Sequence, residues 1–203
     1  SLRAGSVNGV LRFARVKVSV LGTEAERREC LEALRHATGF VRSVAAGESV
    51  EALGGRTVVA SLEDASTIQS ALADHDAALW LVQLSLDEEK RIVGALLKAL
   101  RDSGKTFIFT GGASVLSEST AGEWSENSFA ESDNFIPRRL LAIRAETELM
   151  VRTASQSGIR AMVVRPPLVF GHGGCKVISD LYHSARVTGD VCYVGRGLNA
   201  YSS

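Results

Sequence analysis

The sequence predicts an α/β fold built on a doubly wound parallel β-sheet. Short β-branched runs alternate along the chain with longer segments of helical periodicity, the pattern of parallel strands joined by helices. Residues 77–82 and 107–109 are continuously apolar, as expected for strands that are buried on both faces. The right-handed crossover rule then predicts a ligand crevice at the carboxyl ends of the strands.

Each element is predicted from local signals. Residues 16–21 form a strand pattern that ends at Gly22, and Thr23 is the N-cap of a helix over 24–37. Further strands are predicted at 40–44, 56–60, 77–82, 105–110, 159–165 and 191–194, and further helices at 63–73, 87–101, 137–157 and 177–186. The clearest helix, 87–101, has five apolar side chains on one face: Ile92, Val93, Leu96, Leu97 and Leu100. Residues 117–134 contain no Lys or Arg and predict an acidic surface loop.

The amino-acid composition argues against nucleic acid and membranes as binding partners. Lys and Arg together number 23, as do Asp and Glu, so the formal net charge is zero over 203 residues. A chain without a basic excess is not expected to bind nucleic acid. The longest apolar stretch, residues 77–82, is far shorter than the roughly 18 residues that span a membrane. We therefore expect a soluble protein whose partner is a small molecule.

The cysteines and histidines predict neither a disulfide framework nor a metal site. Cys30, Cys175 and Cys192 are scattered, without a CxxC pair and without a histidine at zinc-ligand spacing. Such sparse usage is typical of a reducing compartment, so we expect a cytoplasmic protein.

Four segments match the motifs of one family in order and spacing. Residues 159–174 (IRAMVVRPPLVFGHGG) are similar to GVRxxVVRPxxVYGxGG, and residues 76–82 (DAALWLV) to the fourth-strand motif DAVIHLA. Residues 107–116 (FIFTGGASVL) are similar to FIYTSSxxVYG, and residues 193–199 (YVGRGLN) to YVGxGxN. Together they resemble the short-chain dehydrogenase/reductase superfamily, in its extended or atypical NAD-dependent epimerase/dehydratase branch.

The resemblance covers most of residues 16–203 and implies a Rossmann-like NAD(P)-binding domain over that range. Residues 1–15 are then an N-terminal extension. The branch continues past this point into a VHVDDLA-like strand and a small substrate-capping region, so we expect that capping part to be missing here. The resemblance also leaves a homodimer open.

The dinucleotide-binding turn of the family departs from its pattern in this sequence. The family binds the pyrophosphate on a GxxGxxG turn, whereas residues 22–28 keep only Gly22. Glu24 and Glu26 place negative charge at the helix N-terminus, where the phosphates would lie. Residues 37–41 (ATGFV) could be read as a displaced turn, but no strand pattern precedes them, so we reject that reading.

The catalytic Ser, Tyr and Lys of the family are also altered. Alignment puts Gly112 at the Ser position, with Ser114 two residues later. It puts Leu140 at the Tyr position and Arg144 at the Lys position. The resemblance implies Ser114 and Arg144 as catalytic residues. The implied cofactor-binding residues are Gly22, Thr23, Leu62, Val82, Gly112, Pro166 and Leu168.

Two functions follow from this pattern. The first is an NAD(P)-dependent oxidoreductase or epimerase-like protein that acts on a small carbonyl or sugar-like substrate. The second is a catalytically inactive Rossmann-fold pseudoenzyme that senses a ligand or binds another protein. The segment after the predicted second strand, residues 45–48, has no Arg or Lys to meet a 2′-phosphate, so NAD is favoured over NADP.

Overall fold

The computed structural model describes residues 5–7, 10–13, 32, 36–52, 54–170 and 175–200. The strand predicted at 16–21 lies outside the described residues, as do Gly22, Thr23 and nearly all of the helix predicted at 24–37. Strands β1 (Gly5–Val7) and β2 (Val10–Phe13) form an antiparallel hairpin within the predicted N-terminal extension.

From residue 38 onward, strands and helices alternate. In chain order they are β3 (Thr38–Val41), α1 (Val44–Glu51), β4 (Arg56–Val59), α2 (Ala65–Ala73), β5 (Ala77–Trp80), α3 (Leu86–Ala99), β6 (Thr106–Thr110), α4 (Ala142–Thr153), β7 (Arg160–Val164) and α5 (Lys176–Thr188). Short 3₁₀ turns lie at Ala113–Leu116, Arg139–Leu141 and Ala154–Ser157. This alternation confirms the predicted α/β class.

From β3 onward, the described strands pair in parallel, as predicted. Strand β3 pairs with β4, and β5, β6 and β7 form a second sheet in that order. In the second sheet Trp80 of β5 is in register with Phe109 of β6, which is in register with Val163 of β7. All three strands therefore end at the same edge of the sheet.

One face of the β5–β6–β7 sheet packs against α3 and α4. Phe107 and Phe109 of β6 are buried with Val93 of α3 and Val151 of α4 in the main apolar cluster. Burial of large side chains of this kind is the main favourable contribution to folding. The opposite face carries Leu79, Met162 and Val164, whose side chains are 45–59% exposed.

Helix α2 is fixed at both ends by polar side chains. Asp64 is its N-cap and accepts hydrogen bonds from the Thr67 hydroxyl (2.7 Å) and backbone N–H (3.1 Å), and from the Ser66 hydroxyl (2.8 Å). These bonds, those from Thr67 first, lower the pKa of Asp64 to about 2. At the other end, Lys105 Nζ donates to the carbonyls of Leu72 and His75. The lysine thereby ties the end of α2 to the start of β6.

The predicted second strand, 40–44, is wrong in position. The strand is β3, which ends at Val41, and residue 44 begins a helix that the sequence patterns did not predict. Ser43 is the N-cap of α1 and accepts a hydrogen bond from the Ala46 backbone N–H. Since residues 38–41 are a strand paired with β4, they are not a displaced dinucleotide-binding turn.

Two glycines let α1 approach the strands closely. A Cβ at Gly39 would lie 3.3 Å from the Val50 side chain, and a Cβ at Gly47 would lie 3.1 Å from the Thr57 side chain. Helix α1 therefore depends on small residues that let it contact β3 and β4. Such contacts do not produce a hydrophobic periodicity in the sequence.

The short strand predicted at 191–194 is also wrong. Residues 191–200 are irregular, and the Leu198 backbone N–H donates to the Gly122 carbonyl at 2.8 Å. Gly195 and Gly197 have φ values of 53° and 67°, which end any extended conformation. The segment therefore lies beside the acidic loop instead of extending a sheet.

Candidate functional site

The site lies where β6 and β7 end. The Gly111 backbone N–H donates to the Val164 carbonyl at 2.9 Å, and the Ala113 N–H donates to the Pro166 carbonyl at 3.0 Å. Beside them, β5 ends at Trp80 and continues into Leu81 and Val82. This edge presents mainly backbone and apolar groups, the usual lining of a ligand crevice in a parallel α/β fold.

Four of the predicted cofactor-binding residues follow the ends of these adjacent strands. Val82 is 37% exposed, and Gly112, Pro166 and Leu168 are half-buried. Leu62 follows β4, and its half-buried side chain packs against the main apolar cluster. Their roles in binding a cofactor stay predictions.

Ser114 lies on the 3₁₀ turn after β6 and is exposed. Buried Val115 anchors the turn. A Cβ at Gly112 would lie 3.6 Å from Ser114 Oγ, so this hydroxyl is close to the strand end. Within the described part of the chain, neither a histidine nor a carboxylate accepts a hydrogen bond from it.

Arg144 contacts a buried carboxylate of α3. Arg144 Nε lies 2.8 Å from Glu89 Oε1, and the two side chains are 17% and 1% exposed. The Nε–H is not aligned with this oxygen, so the contact is ionic without a hydrogen bond. Trp80 Nε1 donates to the other carboxylate oxygen of Glu89 at 3.3 Å.

Burial raises the pKa of Glu89 above its ordinary value of 4.5. The positive charge of Arg144 opposes this rise, as does the hydrogen bond from Trp80, whereas the nearby charge of Glu148 adds to it. The residue at the family's Tyr position, Leu140, is 77% exposed and cannot transfer a proton. The catalytic role of Arg144 stays a prediction, while its ion pair with Glu89 was missed by the sequence patterns.

A second buried ion pair joins α4 to the residue after β7. Glu148 is 1% exposed, and its Oε2 accepts from Arg165 Nε at 2.8 Å and contacts Arg165 Nη2 at 2.7 Å. The flat face of the Arg165 guanidinium lies over the ring of Phe135, with 5.1 Å between Cζ and the ring centroid. Phe135 meets Phe129 edge to face, with ring centroids 6.3 Å apart. Arg165 therefore links the helix layer to the acidic loop.

An open cleft of about 450 Å³ adjoins this linkage. It is lined by Leu116, Glu118, Phe129, Asn134, Phe135 and Ile136. Leu116 belongs to the 3₁₀ turn that carries Ser114, and Phe135 covers Arg165. The cleft therefore lies beside the ends of β6 and β7. The sequence patterns missed it because its aromatic residues occur within a polar loop.

Among the residues that the structure describes, no three His, Cys, Asp or Glu side chains are grouped so that they could hold a metal ion. In the same part of the chain, no helix has the length and apolar character needed to cross a membrane.

Gly111→Ala is expected to destabilise the fold by about 1–3 kcal/mol through overpacking. A Cβ at Gly111 would lie 2.4 Å from Glu148 Oε1, and Glu148 cannot move away easily because Arg165 holds its other oxygen. Urea unfolding would measure the loss. Gly112→Ala is the matched control, because its Cβ would meet only Ser114 Oγ at 3.6 Å. Equal stability of the two variants would contradict the packing at Gly111.

The chain is similar to curated proteins that are longer than itself. It is 29% identical over 185 residues to an uncharacterized protein of Schizosaccharomyces pombe, covering 86% of this chain and 59% of that protein. It is 23% identical over 186 residues to an uncharacterized protein of Saccharomyces cerevisiae, covering 86% and 60%. The chain thus spans less than two thirds of the relatives it matches. No protein-family model matches it.

Three solved structures share the fold of this chain, and two of them contain NAD. dTDP-glucose 4,6-dehydratase from Bacillus anthracis, in complex with NAD, has a TM-score of 0.61 at 14% identity, over 81% of this chain and 57% of that one. L-threonine dehydrogenase from Clostridium difficile has a TM-score of 0.55 at 17% identity, over 79% and 55%. A short-chain dehydrogenase/reductase superfamily protein from Agrobacterium tumefaciens, with bound NAD, has a TM-score of 0.51 at 21% identity, over 68% and 44%.

The chain therefore has the Rossmann-like fold of these solved structures. The dehydratase structure extends beyond the part that this chain matches, since the match covers 57% of it.

Proposed function

We propose that the chain is the dinucleotide-binding part of an NAD(P)-dependent oxidoreductase that acts on a small carbonyl compound. The observation that carries the proposal is the shared edge at which three parallel strands end. There, apolar side chains stay exposed at Leu81 (44%), Val82 (37%) and Phe170 (61%). Ligands of parallel α/β folds bind at this edge, and a bound dinucleotide would cover such apolar surface.

The polar groups at this edge favour reduction of a carbonyl group over epimerisation or dehydration. The nicotinamide group supplies hydride transfer when it is bound. Ser114 is exposed and can donate a hydrogen bond to a carbonyl oxygen of the substrate. Removal of a proton by the enzyme would need a side-chain base, and Leu140 stands at the family's Tyr position. A carbonyl reduction instead takes its hydride from the bound nicotinamide and one proton for the alkoxide oxygen, which solvent can deliver through the exposed Ser114 hydroxyl.

We further propose that the cofactor is NADP. The expectation of NAD rested on residues 45–48, which belong to helix α1 and do not directly follow the strand. Because β3 ends at Val41, the residues that follow it are Arg42 and Ser43. An arginine at the end of this strand is suited to the 2′-phosphate that distinguishes NADP from NAD.

Titration calorimetry of the purified protein with NADPH and NADH tests both proposals. We expect NADPH to bind more tightly, and Arg42→Ala to weaken NADPH binding by about 10-fold or more with little effect on NADH, because a charge-assisted contact is lost. Arg56→Ala is the matched control, since Arg56 is exposed and begins the neighbouring strand at its opposite end. Tighter binding of NADH would refute the NADP assignment, and no binding of either at millimolar concentration would refute the oxidoreductase.

The second candidate is a ligand-sensing pseudoenzyme. It is favoured by Leu140 at the Tyr position and by Arg144, whose Nε contacts Glu89. Saturable dinucleotide binding without turnover of any member of a carbonyl panel would support this candidate over the enzyme.

A further inference from the structure

The aromatic cleft, formed by Leu116, Glu118, Phe129, Asn134, Phe135 and Ile136, is a second recognition surface beside the strand ends. We propose that it binds an uncharged, partly aromatic carbonyl compound and discriminates against phosphate-bearing substrates. This inference rests on the proposed function for the step in which the bound compound is reduced. The binding itself depends on the cleft alone.

The size and lining of the cleft suit a small apolar molecule. Its volume of about 450 Å³ lies within the range of roughly 300–1,000 Å³ that is typical of small-molecule sites. Four of its six lining residues are apolar, and Phe129 and Phe135 present two rings at an interplanar angle of 72°. An aromatic ring can pack against either ring in an edge-to-face or offset arrangement.

The charge of the cleft opposes a phosphate. Among the residues that the structure describes, its lining contains the carboxylate of Glu118 and no Lys or Arg. One basic side chain that contacts the lining, Arg165, is already engaged. Its Nε and Nη2 contact Glu148, and its flat face lies over Phe135. A phosphate group normally needs basic side chains or clustered backbone N–H groups, so it would meet a carboxylate here without a partner.

The wall of the cleft is held by contacts within the protein. Asn127 Nδ2 donates to both carboxylate oxygens of Glu118 at 2.9 Å, and Ser125 Oγ donates to the same group at 3.1 Å. On the other side, the contact with Arg165 holds Phe135. A preformed site loses less conformational entropy when it binds a ligand.

The position of the cleft matches a role in substrate binding. Leu116 is the last residue of the 3₁₀ turn on which Ser114 lies, and the Ser117 N–H closes this turn by donating to the Ser114 carbonyl at 3.0 Å. An aromatic ketone with its ring in the cleft can therefore direct its carbonyl oxygen towards the Ser114 hydroxyl. The strand ends where the dinucleotide is proposed to bind lie on the same side.

Equilibrium dialysis without cofactor tests the proposal. The probes are 4-phenyl-2-butanone, which is uncharged and aromatic, and dihydroxyacetone phosphate, which is a phosphate-bearing ketone. We expect 4-phenyl-2-butanone to bind saturably with a Kd of about 1 mM or tighter. Dihydroxyacetone phosphate is expected to show no saturable binding at the same concentrations. Absent binding of the aromatic ketone, or equal binding of the phosphate ester, would overturn the proposal.

Two substitutions that introduce an aspartate, one at the mouth of the cleft and one away from it, form a matched pair of variants. Ile136 is 96% exposed, so Ile136→Asp should not disturb folding, and it should weaken binding of 4-phenyl-2-butanone at least 5-fold. Val187→Asp is the control, because Val187 is 70% exposed on α5 and does not line the cleft. If both variants bind the ketone as the parent protein does, the ketone binds elsewhere and the proposal fails.

The two proposals fail in different ways. Ketone binding without any dinucleotide binding would retain the cleft and refute the oxidoreductase. Dinucleotide binding without ketone binding would refute the proposal for the cleft and retain the oxidoreductase. If both bind, reduction of 4-phenyl-2-butanone to its alcohol, with the hydride from NADPH and the proton from solvent, connects the two sites. The loss of NADPH absorbance follows this reaction.

Discussion

Arg144→Met is expected to lower the free energy of unfolding by about 3–5 kcal/mol at neutral pH. The substitution keeps much of the apolar stem of the side chain and removes the charge that faces Glu89. Glu89 is fully buried, and its remaining polar partner is the weaker hydrogen bond from Trp80 at 3.3 Å. A buried carboxylate without a cation retains its full desolvation cost. Denaturant unfolding followed by circular dichroism would measure the loss.

The loss should shrink as the pH falls. Burial raises the pKa of Glu89 above 4.5, and Arg144 opposes that rise. A carboxyl group whose pKa is raised on folding binds its proton more tightly in the folded state. It therefore reduces stability as the pH rises from the unfolded-state pKa through the folded-state pKa. Without Arg144 the folded-state pKa rises further, so the variant should come closest to the parent protein at acid pH.

Two further variants separate this mechanism from a general loss of packing. Glu89→Gln/Arg144→Met has no buried charge at this pair and keeps an acceptor for Trp80, so we expect it to recover most of the loss and its pH dependence. Lys90→Met is the control for removal of a cation, because the Lys90–Glu146 pair is exposed and should contribute less than about 1 kcal/mol. A double variant as unstable as Arg144→Met at every pH would contradict the ion-pair explanation.

Arg144 connects the stability of the protein with its proposed function. Alignment implies a catalytic Arg144, whereas its contact with Glu89 is that of a cation neutralising a buried carboxylate. Both roles are physically compatible only if the rest of the guanidinium reaches the crevice. The double variant decides between them, since it is expected to be folded yet lacks the cation. Retained turnover in that variant would assign Arg144 to stability alone.

The fold could be predicted where the hydrophobic pattern lies within one continuous segment of the sequence. Helix α3 was expected from the spacing of Ile92, Val93 and Leu97, and all three are buried. Helix α1 was missed because it has only eight residues, begins with a β-branched valine and includes Gly47. Its hydrophobic pattern is too short to show a period, and the close contact between Gly47 and Thr57 exists only after the segments meet.

The site could be predicted only in outline. Sequence motifs located the strand ends, including Gly112 and Pro166, because a strand followed by glycine or proline is a local pattern. The partners of Arg144 and Glu148 come from other elements, and packing of α3, α4 and β7 brings them together. Opposite charges are too common in a sequence for such a pairing to be recognised beforehand.

Arg165→Met is expected to destabilise the protein by about 3–5 kcal/mol, because Glu148 would lose the partner of its Oε2 while it stays buried. It should also release the acidic loop, since Phe135 would lose the guanidinium beneath its ring. Thermal unfolding measures the first effect. Cleavage by a glutamate-specific protease measures the second, because the loop contains Glu118, Glu123, Glu126 and Glu131.

Arg160→Met is the matched control, since Arg160 is an exposed arginine at the start of the same strand. We expect it to leave both loop cleavage and stability close to those of the parent protein. Faster cleavage of the loop in Arg165→Met, under conditions in which the variant remains folded, would show that one guanidinium both neutralises a buried carboxylate and supports the wall of the aromatic cleft. If the loop is cleaved at the same rate in both variants, the contact between Arg165 and Phe135 does not hold the loop, and the cleft must be maintained by the hydrogen bonds of Glu118 instead.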